Sequence, residues 1–217
     1  MSGPDLILYD YWRSSASYRV RIALNLLGRA YTAQPVDLLK AEHRQPAYTT
    51  LNPQGLLPSV DIDGKVMTQS LAIIEYLHAT TDGSTLLPAD ALGQYRARQL
   101  SYAIAMEIHP VCNLSIVGHV AKLTGGGDAA KKDWMQHFIA KGLAAFEGLL
   151  AQETTQKYCA GDTPGIADCC LIPQLYNADR WGVAYDQHVQ ISRIAGNLRK
   201  LDAVNQAHPD VVGPPQA

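Results

Sequence analysis

The sequence predicts a chain in two parts, an α+β domain over residues 1–80 and an all-helical domain over residues 91–217, joined by a linker over residues 81–90. Three observations lead to this prediction. Short apolar runs alternate with turn signals and helical patterns up to residue 80. Residues 80–88 are rich in Thr, Asp, Gly, Ser and Pro, which is typical of a linker. From Ala91 the composition becomes helical, with few β-branched runs.

Length and composition bound the class of protein. A chain of 217 residues allows one large domain or two small ones, and its hydrophobic content of 47% favours packed cores over disorder. The net charge of -2, with a sequence pI near 6.4 and no basic block, gives little support for a nucleic-acid partner. No apolar run approaches the ~20 residues that span a bilayer, and no secretory signal is visible. We therefore predict a soluble, cytoplasmic protein without a membrane partner.

The cysteines and the glycine run argue against metal and phosphate sites. Spacing typical of metal ligands is absent, so we expect no metal site and predict buried thiols of a reducing compartment at Cys112, Cys159, Cys169 and Cys170. Residues Gly125-Gly126-Gly127 lack the Gly-Lys-Ser/Thr that would make a phosphate loop, so they are interpreted as a connection between helices.

The elements of the first domain can be placed in order. A strand at Leu6–Tyr9 precedes a helix with apolar residues at 20, 23, 24 and 27, which ends near Gly28. A second strand over 31–36, a short helix over 47–51, and a strand from Pro58 to Ile62 follow. Asp63-Gly64 is a strong hairpin signal, and a helix over 69–77 comes after the return strand. The order β-α-β-(α)-β-β-α is that of a thioredoxin-like domain.

The stretch around which this domain is organised is Ser14-Ser15-Ala16-Ser17, at the start of the first helix. One interpretation is an N-cap, because serine accepts hydrogen bonds from unpaired backbone N–H groups. The other is a binding site, because a helix N-terminus carries roughly half a positive charge and favours anions such as a thiolate. A redox thiol pair would place Cys-x-x-Cys in this turn. Since the chain has no cysteine there, any reacting sulfur must arrive with a ligand.

Three motifs in order resemble the zeta class of the glutathione transferase superfamily. They are residues 14–24 (SSASYRVRIAL), residues 52–58 (NPQGLLP) and residues 69–77 (QSLAIIEYL). The likeness continues almost to the C-terminus. It implies the glutathione transferase fold, glutathione as cofactor and a homodimer.

The resemblance also implies a glutathione site, and each of its residues has a plainer alternative. The sulfur is expected at Ser14 first and Ser15 second, with Ser17 beside them, where the alternative is helix capping. The backbone of Leu57 is expected to pair with the peptide before a cis Pro58, which otherwise would be an ordinary strand start.

Two further parts of that site lie elsewhere in the first domain. Gln69 and Ser70 are expected to bind the γ-glutamyl carboxylate, although by default they form a helix N-cap pair. His43 is expected at the glycyl end of glutathione and is otherwise a solvated loop residue.

The second substrate is expected to contact residues of both domains. His109 and Asn113 lie about one turn apart on a long helix that Pro110 should kink, so they are predicted to share a face. Asn113 is counted for glutathione as well as for substrate. Arg180 resembles the family's arginine for a substrate carboxylate, and Arg13 suits the same role because guanidinium binds carboxylates in a bidentate manner. The alternatives are surface or packing roles, or pairing of Arg180 with Asp179.

Three positions depart from the family pattern. Ala16 stands where the zeta class commonly has cysteine, so serine hydroxyls must suffice. Gly165 stands where a capping Ser or Thr is usual, although Asp168 can still complete half of that capping box. Ser115 stands where some maleylpyruvate-type relatives have an arginine, which favours maleylacetoacetate.

The implied activity is glutathione-dependent cis–trans isomerisation of a small dicarboxylic enedione, by reversible addition of the thiolate. The first choice of substrate is maleylacetoacetate, which gives fumarylacetoacetate in aromatic amino acid catabolism. The alternatives are a maleylpyruvate isomerase, and a general zeta-class transferase that acts on small electrophiles such as α-haloacids. A non-catalytic glutathione-binding scaffold is disfavoured, because it has no need for all three motifs.

Overall fold

The computed structural model describes residues 6–152 and 156–214. The chain divides into two compact units, Met1–Leu87 with Arg199–Ala217, and Pro88–Leu198. The end of the chain therefore belongs to the first unit, whereas the sequence predicts a helical domain that runs to residue 217.

The first unit holds the sheet and its helices. Its elements are β1 (Leu6–Asp10), α1 (Ser15–Leu26), β2 (Thr32–Pro35), a 3-10 turn (Glu42–Arg44), α2 (Pro46–Thr49), β3 (Ser59–Ile62), β4 (Lys65–Thr68) and α3 (Ser70–Ala79). The strand order is β2-β1-β3-β4. Strand β1 is parallel to β2 and antiparallel to β3, which forms the hairpin with β4. The predicted thioredoxin-like order is confirmed, and the Leu57-Pro58 peptide bond is cis.

The core of the first unit lies between the sheet and helices α1 and α3. Leu8 at the centre of β1 is opposite Ala33 on one side and Val60 on the other, and both Leu8 and Val60 are fully buried. Helices α1 and α3 bury Val20 and Ile73 in the same way. Because these helices begin at Ser15 and Ser70, the core also fixes where both helix N-termini lie.

A buried ion pair ties the first unit together. The Nη1 atom of Arg21 donates to both carboxylate oxygens of Asp10 at 2.7 Å, and the two residues are 0% and 4% exposed. Its Nη2 donates to the carbonyl of Trp12 at 2.9 Å, and its Nε to the carbonyl of Ala207 at 3.0 Å. One side chain of α1 thus joins the end of β1, the turn before α1 and the C-terminal residues.

The C-terminal residues pack on α1. They form α9 (Asp202–Gln206) and α10 (Pro209–Val212), and the Nδ2 of Asn25 donates to the carbonyl of Ala203 at 2.9 Å. These contacts explain why the described residues after Leu198 belong to the first unit.

The second unit is helical. It contains α4 (Ala91–Tyr102), a π-helical segment (Ala103–Ile108), α5 (Leu114–Thr124), α6 (Gly127–Leu150), α7 (Ile166–Trp181) and α8 (Val189–Leu198). Gly125 ends α5 in the left-handed conformation, so the glycine run is a helix connection as predicted. No helix in the described part of the chain is both long and apolar enough to cross a membrane.

The predicted kink at Pro110 is wrong, because the helix ends there. The π-helical segment stops at Ile108, and a new helix starts at Leu114 with Asn113 as its N-cap. Proline has no N–H to donate, and the Asn113 side chain accepts the Ser115 N–H at 3.0 Å, which favours a new helix start.

The buried carboxylate of Asp168 caps the N-terminus of α7. Its two oxygens accept the N–H of Gly165 at 2.8 Å and that of Cys159 at 3.1 Å, so the predicted half of the capping box is present. Burial raises the pKa of Asp168 to about 6, although these hydrogen bonds act in the opposite direction. The carboxyl is 1% exposed, which agrees with the structural role expected of it.

We expect Arg21→Met to lower the free energy of unfolding by about 3–5 kcal/mol, because Asp10 would remain as a buried carboxylate without its partner. The double variant Asp10→Asn/Arg21→Met should lose less than Arg21→Met alone, since no charge then stays buried. Urea unfolding of the three proteins measures both effects. A double variant that loses as much stability as Arg21→Met, or more, would contradict this account.

We expect the contribution of Asp168 to the free energy of unfolding to fall as the pH rises from 3.8 to about 6, because the folded-state pKa of this carboxyl lies above its ordinary value. This contribution is fully present below the ordinary pKa and is lost as the pH rises through the folded-state pKa. Asp168→Asn should remove this part of the pH dependence, which urea unfolding at several pH values measures. The exposed Asp82→Asn is the matched control and should keep it. Equal slopes in wild type and Asp168→Asn would refute the assignment.

Candidate functional site

Ser14 is the N-cap of α1, as one interpretation of the sequence predicts. Its Oγ accepts the N–H of Ser17 at 3.2 Å, its own N–H donates to the carbonyl of Tyr11 at 2.8 Å, and its carbonyl accepts the N–H of Tyr18 at 2.8 Å. The side chain is half-buried. Because Oγ acts as the acceptor in the cap, its hydroxyl proton remains available to a ligand. Capping and ligand binding by Ser14 are therefore compatible.

The other two serines lie in the first turn of the same helix. Ser15 is the first helical residue and is half-buried. Ser17 is fully buried, and among the residues that the structure describes its Oγ has no hydrogen-bond partner. A buried hydroxyl without a partner is costly, which suits a position that is completed by a ligand.

The protein's own thiols are not suited to act as nucleophiles. All four cysteines are buried free thiols, as predicted. Burial raises the pKa of Cys112 to about 11, and burial also raises that of Cys159 well above its ordinary value. Both thiols are therefore protonated at neutral pH and poor nucleophiles. In residues 6–152 and 156–214 no three or more His, Cys, Asp or Glu side chains form a group that could hold a metal ion.

Arg13 precedes the serines and is exposed. Its guanidinium carbon lies 4.1 Å from the centre of the Trp12 ring. Stacking on an aromatic face leaves the edge of the guanidinium, with its five donors, free to bind a carboxylate.

The start of α3 presents a second hydroxyl. Gln69 has a φ of 69°, and its Nε2 donates to Oε1 of Gln54 at 2.9 Å. Ser70 is 6% exposed, and its Oγ accepts a hydrogen bond from Nη1 of Arg19 at 3.3 Å. The unpaired N–H groups of the first helical turn and this hydroxyl together suit an anion.

The residue before the cis proline has its backbone groups available. Within the described part of the chain, neither the N–H nor the C=O of Leu57 has a hydrogen-bond partner, while Pro58 is buried beside β3. An extended peptide can pair with such groups as an added strand does.

His43 lies in the 3-10 turn and is half-buried. Its Nδ1 is buried and has no hydrogen-bond partner among the described residues. Burial, and to a lesser degree the positive charge of Arg44, lowers the pKa of His43. A lowered pKa favours the neutral ring at pH 7, and a neutral ring can form a hydrogen bond but not an ion pair.

The remaining predicted residues lie in the helical unit, and they do not share one helix. His109 follows the π-helical segment as its C-cap, whereas Asn113 precedes α5 as its N-cap, so the prediction that they share a helix face is wrong. The Oδ1 of Asn113 accepts from both the N–H and the Oγ of Ser115, so its amide NH₂ is the group left for a ligand. Arg180 is exposed at the end of α7, with its guanidinium 5.9 Å from the centre of the Tyr176 ring.

The sequence analysis missed Arg19. Its charge and its position beside the apolar residues of α1 are typical of a solvent-facing residue, yet the structure buries it at 3% exposure against Ser70. The spacing of residues in α1 holds no signal for this contact, because its partner lies 51 positions away in the chain.

Known proteins resemble this chain over nearly its whole length. Residues 4–79 match the sequence profile of the glutathione S-transferase N-terminal domain, and residues 128–209 match that of the glutathione S-transferase C-terminal domain. A maleylacetoacetate isomerase of Rhizobium meliloti is 55% identical over 210 residues, which cover 97% of this chain and 99% of that protein.

Two solved structures are similar throughout. A holo structure of maleyl pyruvate isomerase, a bacterial glutathione S-transferase in the zeta class, has a TM-score of 0.93 and 40% identity, and the match covers 97% of this chain and 100% of that one. Maleylacetoacetate isomerase from Methylobacterium extorquens AM1, with bound malonate and GSH, has a TM-score of 0.92 and 34% identity, with the same coverage. The chain therefore belongs to the glutathione S-transferase family, and within it to the group of zeta-class transferases and maleylacetoacetate isomerases.

Proposed function

We propose that this chain is a glutathione-dependent cis–trans isomerase that converts maleylacetoacetate to fumarylacetoacetate in the catabolism of aromatic amino acids. The observation that carries the proposal is the start of α1, where serine hydroxyls meet a helix N-terminus and no thiol is present. The relative from Rhizobium meliloti named above supports the choice of substrate.

The N-terminus of α1 binds the sulfur anion of glutathione. Its N-terminus favours negative charge, and Ser14 has a hydroxyl proton to donate because its oxygen already accepts the Ser17 N–H. Ser15 supplies a second hydroxyl, and Ser17 a buried one. Such surroundings lower the pKa of a thiol from about 8.5 into the range of about 3.5–7.5, which makes a thiolate available at neutral pH.

The rest of the first unit fits the tripeptide. The N–H and C=O of Leu57, before Pro58, pair with the peptide backbone, and Gln69 and Ser70 bind the γ-glutamyl carboxylate. His43 donates a hydrogen bond to the glycyl carboxylate from its neutral ring. The unpaired polar atoms of Leu57 and His43 support this arrangement, because a ligand would satisfy both.

Glutathione, when bound, supplies a sulfur nucleophile whose reversible addition to the carbon–carbon double bond converts the cis alkene into the trans alkene. The chain's part is to hold the dicarboxylic substrate against that sulfur. Arg13 and Arg180 suit its carboxylates, His109 and the amide NH₂ of Asn113 supply hydrogen bonds, and Asn113 is also a candidate contact for glutathione. Donors of this kind stabilise the charge that develops on a substrate carbonyl oxygen.

The second candidate is maleylpyruvate isomerisation, which the solved maleyl pyruvate isomerase at 40% identity favours. From the family resemblance an arginine is expected at the position of Ser115 in some maleylpyruvate-type relatives, so the serine favours maleylacetoacetate. Transfer of glutathione to small electrophiles such as α-haloacids is a side reaction of the same thiolate. The protein is further proposed to act as a cytoplasmic homodimer, and its buried free thiols suit a reducing compartment.

We expect Ser14→Ala to lower kcat about 100-fold, because the variant removes a donor aimed at developing or bound negative charge. The absorbance of enedione substrates, followed with and without glutathione, measures turnover of maleylacetoacetate and maleylpyruvate. The thiolate absorbance of bound glutathione should also titrate at a higher pH in the variant.

Asp90→Ala is the matched control for the capping role of Ser14. Asp90 is the N-cap of α4 in the second unit, and its carboxylate accepts the Gly93 N–H at 2.8 Å. Loss of either N-cap should lower the free energy of unfolding by about 1 kcal/mol. Only Ser14→Ala should change turnover. Isomerisation at an equal rate without glutathione would reject the proposed function.

We expect Gly55→Ala to raise the Kd for glutathione several-fold by displacing His43. Gly55 has a φ of +60°, and a Cβ there would lie 3.0 Å from the carbonyl oxygen of His43. Gly28→Ala is the control, because Gly28 has a φ of +62° with no atom within 4 Å of the added Cβ. Both variants should lose about 1–2 kcal/mol of stability from the left-handed backbone, but only Gly55→Ala should weaken binding. Unchanged glutathione binding in Gly55→Ala would contradict the role of His43.

A further inference from the structure

The contact between α1 and α3 places a buried cation behind the start of α3. Arg19 is 3% exposed, in the second turn of α1, and its Nη1 lies 3.3 Å from Oγ of Ser70, which is 6% exposed. Arg19 is thus withdrawn from bulk water and contacts Ser70, which belongs to the proposed carboxylate site.

The chemistry of the two groups fixes the direction of the hydrogen bond. Guanidinium has five donors and no acceptor, so Ser70 Oγ must be the acceptor. The hydroxyl proton of Ser70 then points away from Arg19 and is left to donate to another group. A hydroxyl whose oxygen accepts from a cation is a stronger donor, because hydrogen bonds in a chain polarise one another.

We propose that Arg19 is a positioning residue for the γ-glutamyl carboxylate of glutathione and acts through Ser70. It orients the Ser70 hydroxyl so that it donates to that carboxylate, and the cation makes this hydroxyl a stronger donor. The inference rests on the proposed function, because it assumes glutathione as the ligand. It adds to that function a residue of α1 that selects for an anionic group at the start of α3.

The role differs from a purely structural one in what it predicts for ligands. A structural arginine would affect every ligand of the site alike. A positioning arginine affects only ligands that carry the α-carboxylate. The decisive probe is therefore γ-aminobutyryl-cysteinyl-glycine, which has the thiol, both peptide bonds and the amino group of glutathione but lacks the α-carboxylate.

The experiment measures the Kd of glutathione and of this analogue by calorimetry, for wild type, Arg19→Gln and Arg19→Lys. We expect Arg19→Gln to weaken glutathione about tenfold, in line with the loss of a hydrogen bond that involves a charged group, and to leave analogue binding within about twofold. Arg19→Lys should recover part of the loss, since the ammonium still donates. At saturating glutathione kcat should stay near the wild-type value while KM rises.

Two further variants complete the test. Arg29→Gln removes an arginine of the first unit whose Nη1 bonds Thr81, and it should leave both Kd values unchanged. In Ser70→Ala the added Arg19→Gln should have a much smaller effect, because the two residues act in series. Thermal unfolding of the ligand-free variants shows whether they fold.

The outcomes separate this inference from the proposed function. Equal weakening of glutathione and the analogue in Arg19→Gln, or full additivity with Ser70→Ala, would overturn the role of Arg19. If Arg19→Gln does not fold, the same comparison of ligands in Arg19→Lys decides. Failure of the wild-type protein to bind glutathione would instead overturn the proposed function.

Discussion

The buried pair of Arg21 and Asp10 is the interaction on which the first unit depends. A guanidinium removed from water must have its donors satisfied, and here they are directed to the end of β1, to the carbonyl of Trp12 and to the carbonyl of Ala207. The Trp12 carbonyl lies two residues before Ser14. The start of α1 is therefore held by a buried charge whose Nε, Nη1 and Nη2 atoms all have hydrogen-bond acceptors. The C-terminal residues of the chain contribute to that constraint, which gives them a role in the geometry of the serine turn.

Ser14 and Ser70 share one arrangement at the two helix starts. In each, Oγ accepts a hydrogen bond from the protein, from the Ser17 N–H in α1 and from Arg19 at the start of α3. Each hydroxyl therefore keeps its proton to donate, and the proposed glutathione site uses both of these donors. Glutathione carries an anion at each end of its γ-glutamyl-cysteinyl part, the carboxylate and the ionised sulfur. The protein orients both donors before the ligand binds, and this preorganisation reduces the rearrangement that binding requires.

Local sequence signals were enough to predict the local features of the fold. The N-cap at Ser14, the hairpin turn at Asp63-Gly64 and the order of strands and helices each depend on a few neighbouring residues, and each is present. Contacts between residues that are far apart in the sequence were not predicted. The burial of Arg19 and Arg21 requires Ser70, Asp10 and Ala207, which no periodicity within α1 reveals. The end of the helix before Pro110 was missed for a different reason, since a proline either bends or ends a helix and the Asn113 cap decides between them.

The positions of the cysteines explain why a ligand must supply the reacting sulfur. The structure keeps all four cysteines buried, and burial holds the pKa of Cys112 at about 11, so ionisation there is suppressed at neutral pH. At the start of α1, where a thiolate would be stabilised, the chain has hydroxyls and Ala16. A hydroxyl with its ordinary high pKa stays a donor and does not compete as a nucleophile at neutral pH. The protein thus places the charge-stabilising groups on its own chain and the reacting sulfur on a ligand, and this sulfur is expelled as a thiolate when the double bond re-forms.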